Sequence, residues 1–283
     1  MQEAQPNAIG PVDDIDQSTW KYINQNWGFR YWVPSVLFFI SVIAWLYYFG
    51  IDSENEGILI ALPFLWLLFG YGYARGKIVE AFIRQFAAVN NLHYIGKSNV
   101  LDMTAALFDS GHSKAISHTI GGIYQNHPIE IFYYQYTTGQ GKQKTIHPYT
   151  VARITLQGTA PDILMESKKN LFQTKRKRSN QKELLLESNF RDHFTTYVPE
   201  DFGIETFEIF TPEILARLID AAQGFDFEFI ESALYVYTSG TIEKRARLTA
   251  MLELAQYLIT TIGPRITRLT DDVEAMKETY SKN

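Results

Sequence analysis

Seven basic residues fall within the fifteen positions of "KKNLFQTKRKRSNQK": Lys168, Lys169, Lys175, Arg176, Lys177, Arg178 and Lys182, with no acid among them. Such a cluster can hold polyanions. Each cation near an anionic leaflet contributes about 1 kcal/mol, and phosphate backbones of nucleic acid attract it without regard to base sequence. Leu171 and Phe172 lie inside the stretch and could insert at a lipid interface. The alternative is a solvated loop between strands, with its charges turned to water.

Other residues could also assemble chemistry. His112, His118, His127, His147 and His193 lie in one stretch, but no two sit at i and i+4 with an acidic companion, and His127 and His147 each precede a proline. That spacing predicts packing or surface histidines rather than metal ligands. "GQGKQK" is glycine-rich and basic, yet it opens no helix whose N-terminus could cradle phosphate, so it reads as a hairpin turn. Glu187, Ser188, Asp192 and His193 suggest hydrolysis, but no "GxSxG" elbow accompanies them. Ser188 and Asn189 read as residues that satisfy backbone groups at a turn. "IFYYQY" resembles a base-stacking platform without interleaved Arg or Lys, which favours sheet packing. No catalytic, cofactor-binding or metal residue is assigned, and no cofactor is implied.

These residues must be positioned by a chain of 283 residues with 46% hydrophobic content, a net charge of -5 and no cysteine. The length suits one packed domain with accessory segments. The mild acidity argues against a dedicated nucleic-acid binder, and the lack of cysteine removes disulfides and thiolate chemistry. "YWVPSVLFFISVIAWLYYF", Tyr31 to Phe49, and "GILIALPFLWLLFGYGYA", Gly57 to Ala74, carry no charge and no polar stripe. At about 1.5 Å per residue each nearly matches a hydrocarbon core of roughly 30 Å. Trp20, Trp27, Tyr31 and Trp32 gather at one end of the first run, and Tyr47 and Tyr48 at the other, as amphipathic rings do at headgroup level.

The predicted arrangement is a two-helix transmembrane hairpin whose tip is "GIDSENEG", Gly50 to Gly57. Lys21 and Arg30 precede it and Arg75, Lys77 and Arg84 follow it, while the tip has no basic residue. Both termini are therefore expected in the cytoplasm. The opening lacks the layout of a cleavable signal peptide and is expected to stay on. The divisions are a cytoplasmic segment over 1–30, the hairpin over 31–74 with spans 31–49 and 57–74, a cytoplasmic domain over 75–264 and a tail over 265–283.

Beyond the spans, Val79, Phe82, Ile83 and Phe86 continue at helical spacing. Asn99 as a cap before "VLDMTAALF", with Gly111 as its stop, predicts a second helix. "AISHTIGGIYQ", "IEIFYYQYTT" and "IHPYTVARITLQ" predict a three-stranded meander, "KELLLES" and "FTTYVP" two more strands, and "TPEILARLIDAAQG" a helix capped by Thr211. "FDFEFIES" and "ALYVYTSG" predict a hairpin in which Phe225, Phe227 and Phe229 alternate against Asp226 and Glu228. Leu248 through Ile262 predict a last helix ended by Gly263 and Pro264. The fold class is α+β, with a largely antiparallel sheet and packed helices.

The order "LFDSG", "SHTIGGIYQNHPIEIFYYQYT", "LLLESNFRDHFTTYVPEDFGIETFEIFTPEILARLID" and "FEFIESALYVYTSG" resembles the uncharacterised bacterial membrane family known as domain of unknown function 3137. The resemblance covers roughly Val79 to Ile262, and "KRKR" reads as an insertion of this chain. It implies a multi-pass bacterial inner-membrane protein and carries no activity. Expected partners are the bilayer through two spans, anionic headgroups at the basic stretch and an unidentified protein, with nucleic acid disfavoured. Two function classes follow: a non-enzymatic interaction or scaffolding module, or a membrane-tethered enzyme whose site the sequence does not display.

Overall fold

Without a polar stripe, the apolar run that begins at Tyr31 has no face to turn toward water, and it folds as the 22-residue helix α2, Gly28–Phe49. The computed structural model describes residues 9–49, 56–98, 103–170, 177–201, 204–266 and 268. The chain divides into two units, Met1–Phe86 with Glu243–Arg245, and Ala87–Ile242 with Ala246–Asn283.

In the first unit, α1, Ile15–Tyr22, is capped by the Asp14 carboxylate, which accepts from the Gln17 N–H. It joins α2 through a π-helical turn, Ile23–Trp27, and Gly28 at φ +34°, a conformation open to glycine. Together they form the one helix among the described residues that is long and apolar enough to cross a membrane, and only 11% of its most apolar window is buried. That low share distinguishes it from a core helix. Pro34 lies inside α2, as its seventh residue, where it removes the hydrogen bond that an N–H would make to the Arg30 carbonyl.

The helix α3, Glu56–Val89, runs 34 residues without interruption, so the continuation through Val79, Phe82, Ile83 and Phe86 is helical and those four are buried. Trp27 stacks on Tyr73, the Tyr31 hydroxyl donates to the Leu67 carbonyl at 2.7 Å, and Phe39 meets Phe64 edge-on at 5.0 Å. These pairs climb one helix as they descend the other, so α2 and α3 run antiparallel. The tip residues 50–55 lie outside the described residues, as do Asn99 and, apart from Arg265, Ile266 and Arg268, the tail.

The second unit is built on a seven-stranded antiparallel sheet: β1 His93–Gly96, β2 His112–Tyr124, β3 His127–Thr138, β4 Thr145–Ser167, β5 Gln181–Glu183, β6 Phe194–Pro199 and β7 Asp226–Ser239. The path is β1-β2-β3-β4-β6-β5, with β7 on β4. The α+β class and the meander of β2, β3 and β4 are as the alternation predicts. The short helices α4 Ser188–Arg191 and α5 Ile204–Ile209 and the ten-residue α6 Pro212–Ala221 precede β7, and α7, Arg245–Tyr257, follows it. The core holds the fully buried rings of Phe132, Tyr134, Tyr136, Tyr149, Tyr235 and Tyr237.

Four predicted elements differ here, and a fifth differs at the site described below. The third strand of the meander continues past Gln157 to Ser167, because its ladder with β7 resumes after a register shift between Thr155 and Ile163, where Pro161 offers no N–H. The predicted hairpin at 225–240 is one strand: no turn residue sits at its middle, and Glu231 at φ +52° absorbs the same irregularity. Of "KELLLES" only Lys182 and Glu183 pair, in a strand that starts at Gln181, and Leu184 onward leads into α4. The last helix does not stop at Gly263 and Pro264. A π-turn at Leu258–Ile262 brings the Gly263 N–H to the Leu258 carbonyl, and helix continues through Ile266.

Candidate functional site

The basic stretch begins where β4 ends. Lys168 and Lys169 are exposed, and their ammonium groups donate to the Arg191 carbonyl and to Gln223 Oε1. Lys175 and Arg176 lie outside the described residues, as do Leu171 and Phe172. Lys177 is exposed, and Lys182 is half-buried with its ammonium 2.6 Å from the Glu200 carbonyl. Arg178 points elsewhere. Its guanidinium is 2.5 Å from Asp162 Oδ2, 3.1 Å from Glu228 Oε1 and 3.5 Å from Asp109 Oδ2, and it donates to the Thr104 carbonyl.

The sheet register explains this convergence. Leu164 pairs with Glu228, so Asp162, two residues back on β4, shares a face with Glu228 and is its diagonal neighbour. Glu228 is fully enclosed and Asp162 nearly so. Glu228 Oε2 also accepts the Ala106 N–H at 2.8 Å. Burial first, and then the Asp162 charge, raise the Glu228 pKa to about 8, while Arg178 and the Ala106 N–H pull it down. The carboxylates in turn hold Arg178 above its ordinary value against the burial that opposes its charge.

The same contacts replace the helix predicted after Asn99. The Thr104 N–H donates to the Tyr235 hydroxyl, the Thr104 carbonyl accepts from Arg178, and the Ala106 N–H goes to Glu228. Backbone groups needed for a helical ladder are thus committed to side chains from distant strands. Among the described residues of that segment only one 3₁₀ turn, Ala106–Asp109, remains.

A second buried carboxylate holds the other end of the stretch. Asp226 accepts the Ser167 N–H and the Asn170 side-chain amide, each at 2.8 Å, while Asn170 Oδ1 accepts the Ser239 N–H. Ser167, Asn170 and Asp226 are all buried. The basic stretch therefore leaves and re-enters the sheet through two buried polar ties. Asp226 and Glu228 entered the sequence reading only as the polar half of an alternation. Asp109, Asp162 and Asn170 were not singled out by the sequence at all, and the one signal was carboxylates set within "FDFEF".

The arrangement can fix a loop. It does not offer acid–base chemistry to a substrate, because the Glu228 side chain has no exposed surface.

The remaining sequence candidates are dispersed. His112 bonds the Gly139 carbonyl, His118 the Tyr94 hydroxyl, His127 the Thr155 carbonyl and His147 the Thr138 hydroxyl. Gly139 and Gly141 have positive φ in the turn that joins β3 to β4, and Thr138 pairs with Thr145 across it. Ile131, Phe132, Tyr133, Tyr134 and Tyr136 are buried in the sheet. His193 lies in the turn after α4, its N–H on the Phe190 carbonyl. Open clefts among the described residues of this unit include two. One, of about 440 Å³, is lined by residues including His127, Gln157, Ile259 and Arg268. The other, of about 320 Å³, includes His93 beside the Glu130–Arg153 ion pair.

No family model matches the chain, and no curated protein matches it. The family resemblance therefore stands on the residues quoted for it. Among solved structures, the chain is similar to the crystal structure of the mycobacterial trehalose monomycolate transport factor A, TtfA, with a TM-score of 0.48 and 11% identity over 65% of this chain and 95% of that one.

Proposed function

We propose that the chain is a multi-pass bacterial inner-membrane protein anchored by α2 and α3 as a two-span hairpin, with both termini cytoplasmic. Its α+β unit then works as a non-enzymatic interaction or scaffolding module at the membrane. The observation that carries this reading is the outward apolar surface of the helices. Leu37, Ile40 and Ile43 on α2 and Leu68 and Phe69 on α3 are each more than half exposed. Contiguous exposed apolar surface on long helices favours lipid as its solvent. Sidedness rests on Lys21, Arg30, Arg75, Lys77 and Arg84 at one end of the pair.

The basic stretch supports the interaction role. Lys168, Lys169 and Lys177 stay exposed between two buried ties, so the stretch is held at a fixed place on the sheet while cations face water. Anionic headgroups are the partner we favour there, with nucleic acid the competing polyanion. A tethered enzyme is the second reading. It is supported by the cleft where His127 and Arg268 share a wall with Gln157.

The test uses the full chain in membranes. Since the chain has no cysteine, Ser53→Cys and Ser239→Cys each introduce a single thiol. An impermeant thiol reagent added to intact cells should label only the first, and alkaline extraction should leave the chain in the membrane. Labelling of Ser239→Cys, or release by alkali, would overturn the reading.

A further inference from the structure

We infer that the first unit carries a binding site for one anionic phospholipid, in a groove between α3 and the segment that opens α2. This rests on the membrane reading above. On α3, Trp66, Phe69, Gly70 and Tyr73 follow one another at three- and four-residue steps, and Trp27, Arg30 and Tyr31 do the same on the facing segment. Two stripes of rings therefore face each other, and the missing side chain of Gly70 lets the Tyr31 ring seat against α3 between them. The groove holds about 280 Å³ and is mostly apolar.

Its floor is fixed. A Cβ on Gly70 would lie 2.3 Å from Tyr31 Cε2, so the two helices touch there, and the Tyr31 hydroxyl is tied to the Leu67 carbonyl. Trp27 stacks on Tyr73 at 5.9 Å to close one end. Arg30 is the single charged residue in the lining, is exposed, and has no ion-pair partner among the described residues. Lys77 adds a second cation, its ammonium 5.2 Å from the Tyr73 ring centre.

The chemistry of the ligand follows from this gradient. Arg30 borders the apolar run that starts at Tyr31, and Tyr73 nearly ends the run that finishes at Ala74. The groove thus opens where hydrocarbon gives way to headgroups, on the basic side. A ligand must place negative charge at Arg30 and Lys77 and an apolar chain along Trp66 and Phe69. A phospholipid with net negative charge satisfies both demands. A zwitterionic one brings its own ammonium to two cations and is disfavoured.

The test is lipid retention by the purified full chain. The chain is equilibrated in neutral detergent with equal phosphatidylglycerol and phosphatidylcholine, and passed through gel filtration at about 0.15 M salt. Lys168, Lys169, Lys175, Arg176, Lys177 and Lys182 are glutamine in every chain tested, which removes lipid held only by the basic stretch. The expected result is close to one phosphatidylglycerol per chain and little phosphatidylcholine. Arg30→Gln should lower phosphatidylglycerol roughly fivefold, the loss of one headgroup cation, with Arg30→Lys largely restoring it. Lys77→Gln should act in the same direction.

Equal retention of the two lipids, or an Arg30→Gln variant that retains as much phosphatidylglycerol as its parent, would overturn the inference. Alkaline extraction of the same variants separates the two readings. Chains that resist extraction but show no lipid preference remove this site alone, whereas chains released by alkali remove the membrane reading beneath it.

Discussion

Replacing Arg178 by methionine separates the inward cation among the described residues of the basic stretch from Lys168, Lys169 and Lys177, which face water. In the wild type the guanidinium meets Asp162 and Glu228 at 2.5 and 3.1 Å and the Thr104 carbonyl besides. Removing one partner of a buried pair costs about 3–5 kcal/mol. Arg178 keeps 21% of its side-chain exposure and Glu228, with a pKa of about 8, is largely neutral at pH 7, so the expected loss there is about 2–3 kcal/mol, from the Asp162 and Thr104 contacts. Lys177→Gln, at an exposed position, should change stability by less than about 0.5 kcal/mol.

The pH dependence gives a sharper signature. Glu228 has a folded pKa raised by burial and by Asp162 to about 8, from an ordinary value of 4.5. A raised carboxyl contributes stability that is complete below its unfolded pKa and is lost as pH rises through its folded one. In the wild type this loss ends near pH 8. Without Arg178, which pulls the value down, the folded pKa moves higher and the loss continues at about 1.36 kcal/mol per pH unit. The gap between wild type and Arg178→Met should therefore widen between about pH 8 and pH 9.5. Urea titration of the full chain in nonionic detergent, with the sheet followed by circular dichroism, measures it. A loss under about 1 kcal/mol at pH 7, or a gap equal at both pH values, would refute the reasoning. The double variant Arg178→Met/Glu228→Gln should show no widening.

Three further outcomes are expected. A chain that begins at Lys77 should be soluble and unfold in one cooperative transition, and recovery only as aggregate would show that the second unit depends on the spans. That same fragment should co-sediment with anionic vesicles, lose binding in high salt, and lose most of it when Lys168, Lys169, Lys175, Arg176, Lys177 and Lys182 become glutamine; equal binding by that variant would leave a solvated loop. Cysteines at Phe39 and Phe64, whose rings are 5.0 Å apart, should oxidise to a cross-link in the full chain, and Gly70→Ile should reduce its yield several-fold, since any Cβ there meets the Tyr31 ring.

Much of the sheet was legible because its signals are local. The meander of β2, β3 and β4 alternates β-branched and aromatic residues between turn residues, and β6 coincides with "FTTYVP". The stripe Leu248, Met251, Leu252, Ala255, Leu258, Ile259 and Ile262 is buried as its spacing predicts. The errors share another cause. Gly263 and Pro264 read as a stop only if the helix before them is regular, and a π-turn makes room for proline. Glu231 reads as nothing special, yet its positive φ lets one strand run where two were expected.

The site was illegible for a related reason. Alternation assigns a charged residue to water, and in "FDFEF" Asp226 and Glu228 are the polar half of one. That inference holds for a strand with one wet face. In β7 the residues from Asp226 through Ile230 are buried on both faces, so a carboxylate among them must find donors inside the protein. Asp226 takes backbone and amide N–H groups, and Glu228 takes a backbone N–H and a guanidinium. A guanidinium suits the second position because its forked, planar donors can meet several acceptors at once, which a single ammonium does less well. The basic stretch is thus not a sum of equal charges. Lys168, Lys169 and Lys177 leave their charge near water, whereas Arg178 spends its charge on Glu228 and Asp162 and so fixes where the others stand.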